Sequence, residues 1–90
     1  MSVKVHIPTA MRQHADGQAL VEVNGGSVKE ALDSLGAKYP SITGKLFENG
    51  QVRRFVNVYL NDEDIRYLDN LQTAVKEGDE LSIIPAVAGG

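Results

Sequence analysis

Ninety residues, 42% of them hydrophobic and 23% charged, suffice for one modest core and exclude a second. A net charge of -3 is the wrong sign for a surface built to hold phosphates, so nucleic acid is not an expected partner and a basic protein surface is. The lack of cysteine removes thiol nucleophiles, disulfides and thiolate-bound metals together, and no stretch is long and apolar enough for a signal peptide or a membrane span, so the expected location is cytoplasmic.

Val3, Val5 and Ile7 alternate with Lys4 and His6, the two-residue period of a half-buried strand, and Pro8 ends it. Thr9 to Gln18 reads as a polar connection with Asp16-Gly17 as a turn. Leu20 to Asn24 resumes the alternation, with Val21 and Val23 on one face and Glu22 on the other, which suggests an antiparallel hairpin. After Gly25-Gly26, Ser27 and Glu30 form a capping box, in which each side chain accepts a backbone N–H of the other's turn. Val28, Ala31, Leu32, Leu35 and Tyr39 then recur at helical spacing. Gly36 weakens that helix by roughly 1 kcal/mol relative to alanine, and Pro40 stops it.

Ser41 to Arg54 reads as a long connection with one apolar anchor, in which Ile42, Leu46 and Phe47 could make a short helical turn that plugs the core, and Asn49-Gly50 marks a turn. Phe55 to Leu60 is rich in β-branched and aromatic residues and reads as a strand. Its Val56, Val58 and Leu60 suit the core, and its Phe55, Asn57 and Tyr59 form a mixed face. A charged turn at Asn61 to Asp64 precedes a short edge strand at Ile65 to Leu68. Leu71, Ala74 and Val75 suggest one helical turn, Glu77-Gly78-Asp79 a reversal, and Leu81 to Ile84 the last strand. One main helix can cover one face of a mixed sheet of four to five strands, giving a two-layer α+β domain with the first and last strands as parallel neighbours. Residues 1–84 form the expected body, and residues 85–90 an extended, flexible tail.

Other motifs have plain readings. Asp62-Glu63-Asp64 lacks the glycine and distal glutamate of a calcium loop and reads as a solvated turn, and no metal site is expected. His6 and His14 have no recognisable nucleophile arrangement, and Gly25-Gly26-Ser27-Val28-Lys29 lacks the spacing of a phosphate loop. Arg53, Arg54 and Arg66 fit either contacts to acidic partner surfaces or, the reading preferred, solvated charges. Phe55, Tyr59 and Ile84 fit either an exposed apolar patch for partner docking or a cross-strand cluster that only stabilises the sheet. In Pro85-Ala86-Val87-Ala88-Gly89-Gly90, proline lacks the N–H that would continue a ladder. Small residues and two glycines then suit passage through a narrow channel with the carboxylate leading.

Element order and tail together resemble the ubiquitin-like β-grasp proteins, ubiquitin and the prokaryotic sulfur carriers MoaD, ThiS and CysO. The stretches from Arg54 to Arg66 and from Ile84 to Gly90, with Val5-His6-Ile7-Pro8-Thr9, are most similar to CysO and its MoaD-like relatives. The resemblance implies a carrier rather than an enzyme, with no bound cofactor. A ubiquitin-activating-type adenylyltransferase (MoeB- or ThiF-like) would spend ATP to adenylate Gly90. A sulfurtransferase or persulfide donor would convert the mixed anhydride to a thiocarboxylate, and a sulfur-accepting synthase would receive the sulfur. That acceptor is cysteine synthase or, in the molybdenum cofactor alternative, the large subunit of molybdopterin synthase. Gly89, Ala88, Val87, Ala86 and Pro85 would be read by the partner's tunnel. A protein modifier joined through Gly90 to target lysines, and a binding module with incidental glycines, are the competing readings.

Overall fold

Valines alternating with polar residues build the first hairpin. The computed structural model describes residues 2–85. It pairs β1 (Ser2–His6) with β2 (Leu20–Asn24) antiparallel, Val3 opposite Val23 and Val5 opposite Val21. All four valines are buried, while Lys4, His6 and Glu22 face outward. The connection expected to be a polar loop is instead a 3-10 helix, Thr9–His14, that places Met11 and Ala15 in the core. Two apolar residues four apart among polar ones are too sparse to register as a periodic face. The turn after it is as expected, with Asp16 and Gly17 at φ of 54° and 75°.

The main helix, α1 (Val28–Lys38), starts at Ser27, whose Oγ accepts the Glu30 N–H at 3.1 Å. Glu30 Oε1 reaches back to the Gly26 N–H at 2.8 Å, one residue earlier than an ideal capping box, and still satisfies a donor ahead of the helix. Val28, Ala31, Leu32 and Leu35 are buried and form the stripe against the sheet. Fully burying each side chain of leucine or valine size stabilises by about 1.5–3 kcal/mol, so this stripe fixes where α1 lies.

Pro40 both stops α1 and starts a second helix. Lacking an N–H, it cannot continue α1, and the same lack costs nothing at the first position of α2 (Pro40–Leu46). The expected plug is present: Ile42 and Leu46 are buried, and Phe47 packs against the core from its rim. The short helical turn expected there is a helix of 7 residues, and the rest of the expected connection is a hairpin. After α2 come β3 (Phe47–Glu48) and β4 (Gln51–Val52), an antiparallel hairpin. It turns through Asn49 and Gly50 at φ of 55° and 78°, the left-handed pair that a two-residue hairpin turn requires. Gly36 also has a packing role, because a Cβ there would run into Thr43 Oγ1 of α2.

The remaining strands are β5 (Val56–Leu60), β6 (Glu63–Asp64) and β7 (Glu80–Pro85). The main sheet runs β2-β1-β7-β5-β6, with β1 and β7 parallel at its centre and the other pairs antiparallel. Three boundaries depart from expectation. Phe55 lies in a turn before β5, because the Val56 N–H donates to Arg53 O (3.0 Å) and closes a reversal there. The edge strand is Glu63–Asp64, whereas Ile65–Tyr67 is a 3-10 turn begun by the Asp64 carboxylate, which accepts the Arg66 N–H. The last strand continues one residue further than expected, through Pro85 opposite Val56. The helical turn near Leu71 is a short 3-10 helix, Asn70–Gln72, and Gly78 makes the reversal at φ of 87°.

Candidate functional site

Parallel pairing with β1 and antiparallel pairing with β5 hold β7 on both sides, so the strand that precedes the tail lies at the centre of the sheet. Leu81 and Ile83 point into the core, and Ser82 and Ile84 to the outer face. Pro85 has no N–H, and none is needed towards β5, since the bond from the Asn61 N–H to Glu80 O sets a ladder phase in which Val56 and Pro85 are a non-hydrogen-bonded pair. Ala86, Val87, Ala88, Gly89 and Gly90, expected to be the working end, lie outside the described residues.

The patch expected from Phe55, Tyr59 and Ile84 is only partly assembled by the sheet. Ile84 is opposite Asn57 and Tyr59 opposite Ser82, which makes Tyr59 and Ile84 diagonal neighbours on one face. Ile84 is 44% exposed and Tyr59 half-buried. Phe55, 53% exposed, stands off the strand in the preceding turn, with the Arg54 guanidinium 5.7 Å from its ring centroid. The outer face also carries His6, hydrogen-bonded to Glu80 at 2.6 Å across β1 and β7.

Sequence reasoning missed the pair Asp64 and Arg66. Asp64 is not solvated but 5% exposed, and its carboxylate accepts from Arg66 Nη2 at 2.7 Å and from Nε at 3.1 and 3.2 Å. These side-chain hydrogen bonds hold the Asp64 carboxyl below its ordinary range, against the upward push of burial. An acid and a base two residues apart in a charged segment look like any solvated turn, and only the 3-10 turn between them brings them together.

Among the described residues no group of three His, Asp or Glu side chains is placed to hold a metal, and no helix is long and apolar enough to cross a membrane. His14 Nδ1 lies 3.3 Å from Ser41 Oγ, but among the described residues no carboxylate is hydrogen-bonded to the imidazole, as a nucleophilic triad would need. The described body offers partners a sheet face and the end of β7.

Comparison with known proteins gives the same picture. The chain is 43% identical to the sulfur carrier protein CysO of Mycobacterium tuberculosis over 100% of both chains. It superposes on the Amycolatopsis orientalis BexX/CysO complex with a TM-score of 0.92 at 44% identity, covering 98% of this chain and 99% of that one. The small archaeal modifier protein 1 of Methanosarcina acetivorans matches at a TM-score of 0.88 and 33% identity over 99% of this chain and 96% of that one. These are ubiquitin-like β-grasp structures, and the fold is of that kind. With the ThiS family model matching residues 5–90, the chain belongs to the ThiS family.

Proposed function

We propose that the chain is a sulfur carrier whose chemistry takes place on the Gly90 carboxylate. The observation that carries this reading is full-length likeness to the sulfur carrier CysO, combined with a last strand held on both sides and leading into Ala86-Val87-Ala88-Gly89-Gly90. A carboxylate is a poor electrophile. An adenylating enzyme would form the acyl–AMP anhydride of Gly90 and release pyrophosphate from ATP. Sulfide would then attack the carbonyl carbon, expel AMP and leave a thiocarboxylate. A partner's persulfide attacking in its place would expel AMP to give an acyl disulfide. A partner thiol would reduce that to the thiocarboxylate, leaving a disulfide on the partner. The carrier contributes recognition and the acyl group, and its partners contribute catalysis. Likeness to CysO favours sulfur supply to cysteine biosynthesis over molybdopterin synthesis.

Pro85 through Gly89 would be read by the partner, and Tyr59 and Ile84, with Phe55 at the rim, would give the activating enzyme an apolar foothold. Aromatic and aliphatic anchors of this kind carry much of the affinity in protein interfaces. ATP–pyrophosphate exchange by the activating enzyme of the same host tests the reading. Exchange should depend on adding the carrier and vanish when Gly90 is deleted. Undiminished exchange with the deleted chain would contradict it. Likeness to a small archaeal modifier protein favours a second reading, attack on the same acyl–AMP by target lysines. In that case conjugates of higher mass, lost with Gly90, would accumulate in the host.

A further inference from the structure

The main sheet is unfinished on its β6 side. β5 pairs with β7 from Val56 to Leu60, but β6 reaches only Tyr59 and Leu60. Among the described residues, Val56, Asn57 and Val58 have no strand beside them there. The phase of the ladder is set by the Asn61 N–H to Glu80 O bond (2.7 Å) and by the turn of the Val56 N–H to Arg53. Asn57 and Tyr59 therefore direct their backbone groups to β7, and Val58 directs its own to the open side.

A cleft of about 540 Å³ lies along this edge, with an apolar lining that includes Val52, Val56, Ile65 and Leu71. Arg53, Arg54 and Arg66 also line it, and all three are exposed. Asp64 holds the Arg66 guanidinium through Nε and Nη2, which orients it and leaves Nη1 available. Arg53 has a long contact with Glu48 at 3.9 Å, and Asp69 is the other acid in the lining. A basic rim on a chain of net charge -3 is a local concentration rather than a general property. The opposite edge of the sheet is treated differently. On β2, Lys38 Nζ donates to Glu22 O at 3.2 Å and Ser34 Oγ accepts the Asn24 N–H at 3.5 Å, so α1 covers that edge as exposed strand edges usually are.

We propose that the open edge of β5 is a docking site for an acidic, extended segment of a partner protein. The segment adds beside Val56–Val58 as a further strand, and its carboxylates meet Arg53, Arg54 and Arg66. Backbone pairing supplies affinity, and charge-assisted contacts to the guanidinium groups select the acidic sequence. A second copy of this chain is disfavoured, because a two-fold pairing on this edge would bring the three arginines against their own counterparts. The site does not use the tail and stands apart from the sulfur-carrier reading.

The test titrates isotope-labelled full-length chain with the peptide acetyl-Val-Glu-Val-Glu-Val-Glu-amide and follows the backbone amides by NMR. Shifts should concentrate on Val56–Val58 and on Arg53 and Arg54, and binding should weaken as salt is added. The doubly substituted R53A/R54A protein, with the rest of its spectrum unchanged, should bind about tenfold more weakly or worse, as loss of one or more charge-assisted contacts requires. The same peptide with Lys for Glu, or with alternate amides N-methylated, should not bind at this edge. Equal binding of either, no binding of the acidic peptide, or shifts centred elsewhere would overturn the proposal. So would dilution-dependent shifts at Val56–Val58 without peptide, which would give the edge to a second copy.

Discussion

Asp64 and Arg66 show how much an ion pair depends on which partner is buried. The carboxylate is buried and the guanidinium is largely in water. Removing Arg66 strands a desolvated acid, whereas removing the Asp64 charge leaves an arginine that water can serve. Arg66→Ala should therefore lower the urea midpoint at neutral pH, and Asp64→Asn should lower it by less. The pH dependence has a definite sign. Because the folded state holds the Asp64 carboxyl below its ordinary 3.8, the pair's contribution is complete above that value and lost as pH falls through it towards the lowered one. The stability gap between wild type and Asp64→Asn should accordingly shrink below about pH 4. A gap that stays constant into acid would mean the carboxylate is not the group responsible. Nothing in the composition of Asn61 to Arg66 distinguishes the buried acid from its exposed neighbours, which is why this residue was illegible from sequence.

At the scale of elements, β1, β2, α1 and β7 were legible because each combines a clean period with a chemical stop signal. Ser27 and Glu30 mark the start of α1 with two bonds that the structure contains, and Ser27→Ala should cost about 1 kcal/mol in thermal or urea unfolding. The approach to that helix is tight. A Cβ on Gly25 would lie 2.6 Å from Ala31 N and 2.9 Å from Glu30 C, both backbone atoms that cannot rotate away. Gly25→Ala should destabilise by about 1–3 kcal/mol through this overpacking. A neutral result would show that the β2–α1 junction is looser than its geometry. The illegible elements are the short ones: the 3-10 helix Thr9–His14, α2, and the two-residue strands. In α2, Ile42 and Leu46 give a single apolar repeat, enough to suggest a helical turn that plugs the core but not where the helix starts, and Pro40 reads as a stop although it is also a start. Short strands such as β6 take their place from the hairpin turn at Asn61, at φ of 55°, rather than from any pattern of their own.

For the whole molecule, the topology was legible because one helix, a hairpin and a terminal strand leave few ways to bury both apolar faces, and central parallel pairing of β1 with β7 is the solution found. The partner-facing features were less so, since the open edge of β5 and its cleft depend on where β6 stops. Among the described residues the last core position is Ile83, and small residues with two glycines have little apolar surface to bury. Deleting Gly90 should therefore leave the urea midpoint unchanged while removing activation, and a clear loss of stability would place the tail within the fold. The central claim, a carboxylate that carries sulfur, has a direct readout because the chain has no cysteine. Intact mass spectrometry of protein purified from its native host, before and after iodoacetamide, should reveal a species with one oxygen replaced by sulfur that gains a single alkyl group. Protein that remains entirely in the oxygen form and unalkylated, purified while the host is actively making sulfur compounds, would contradict the account.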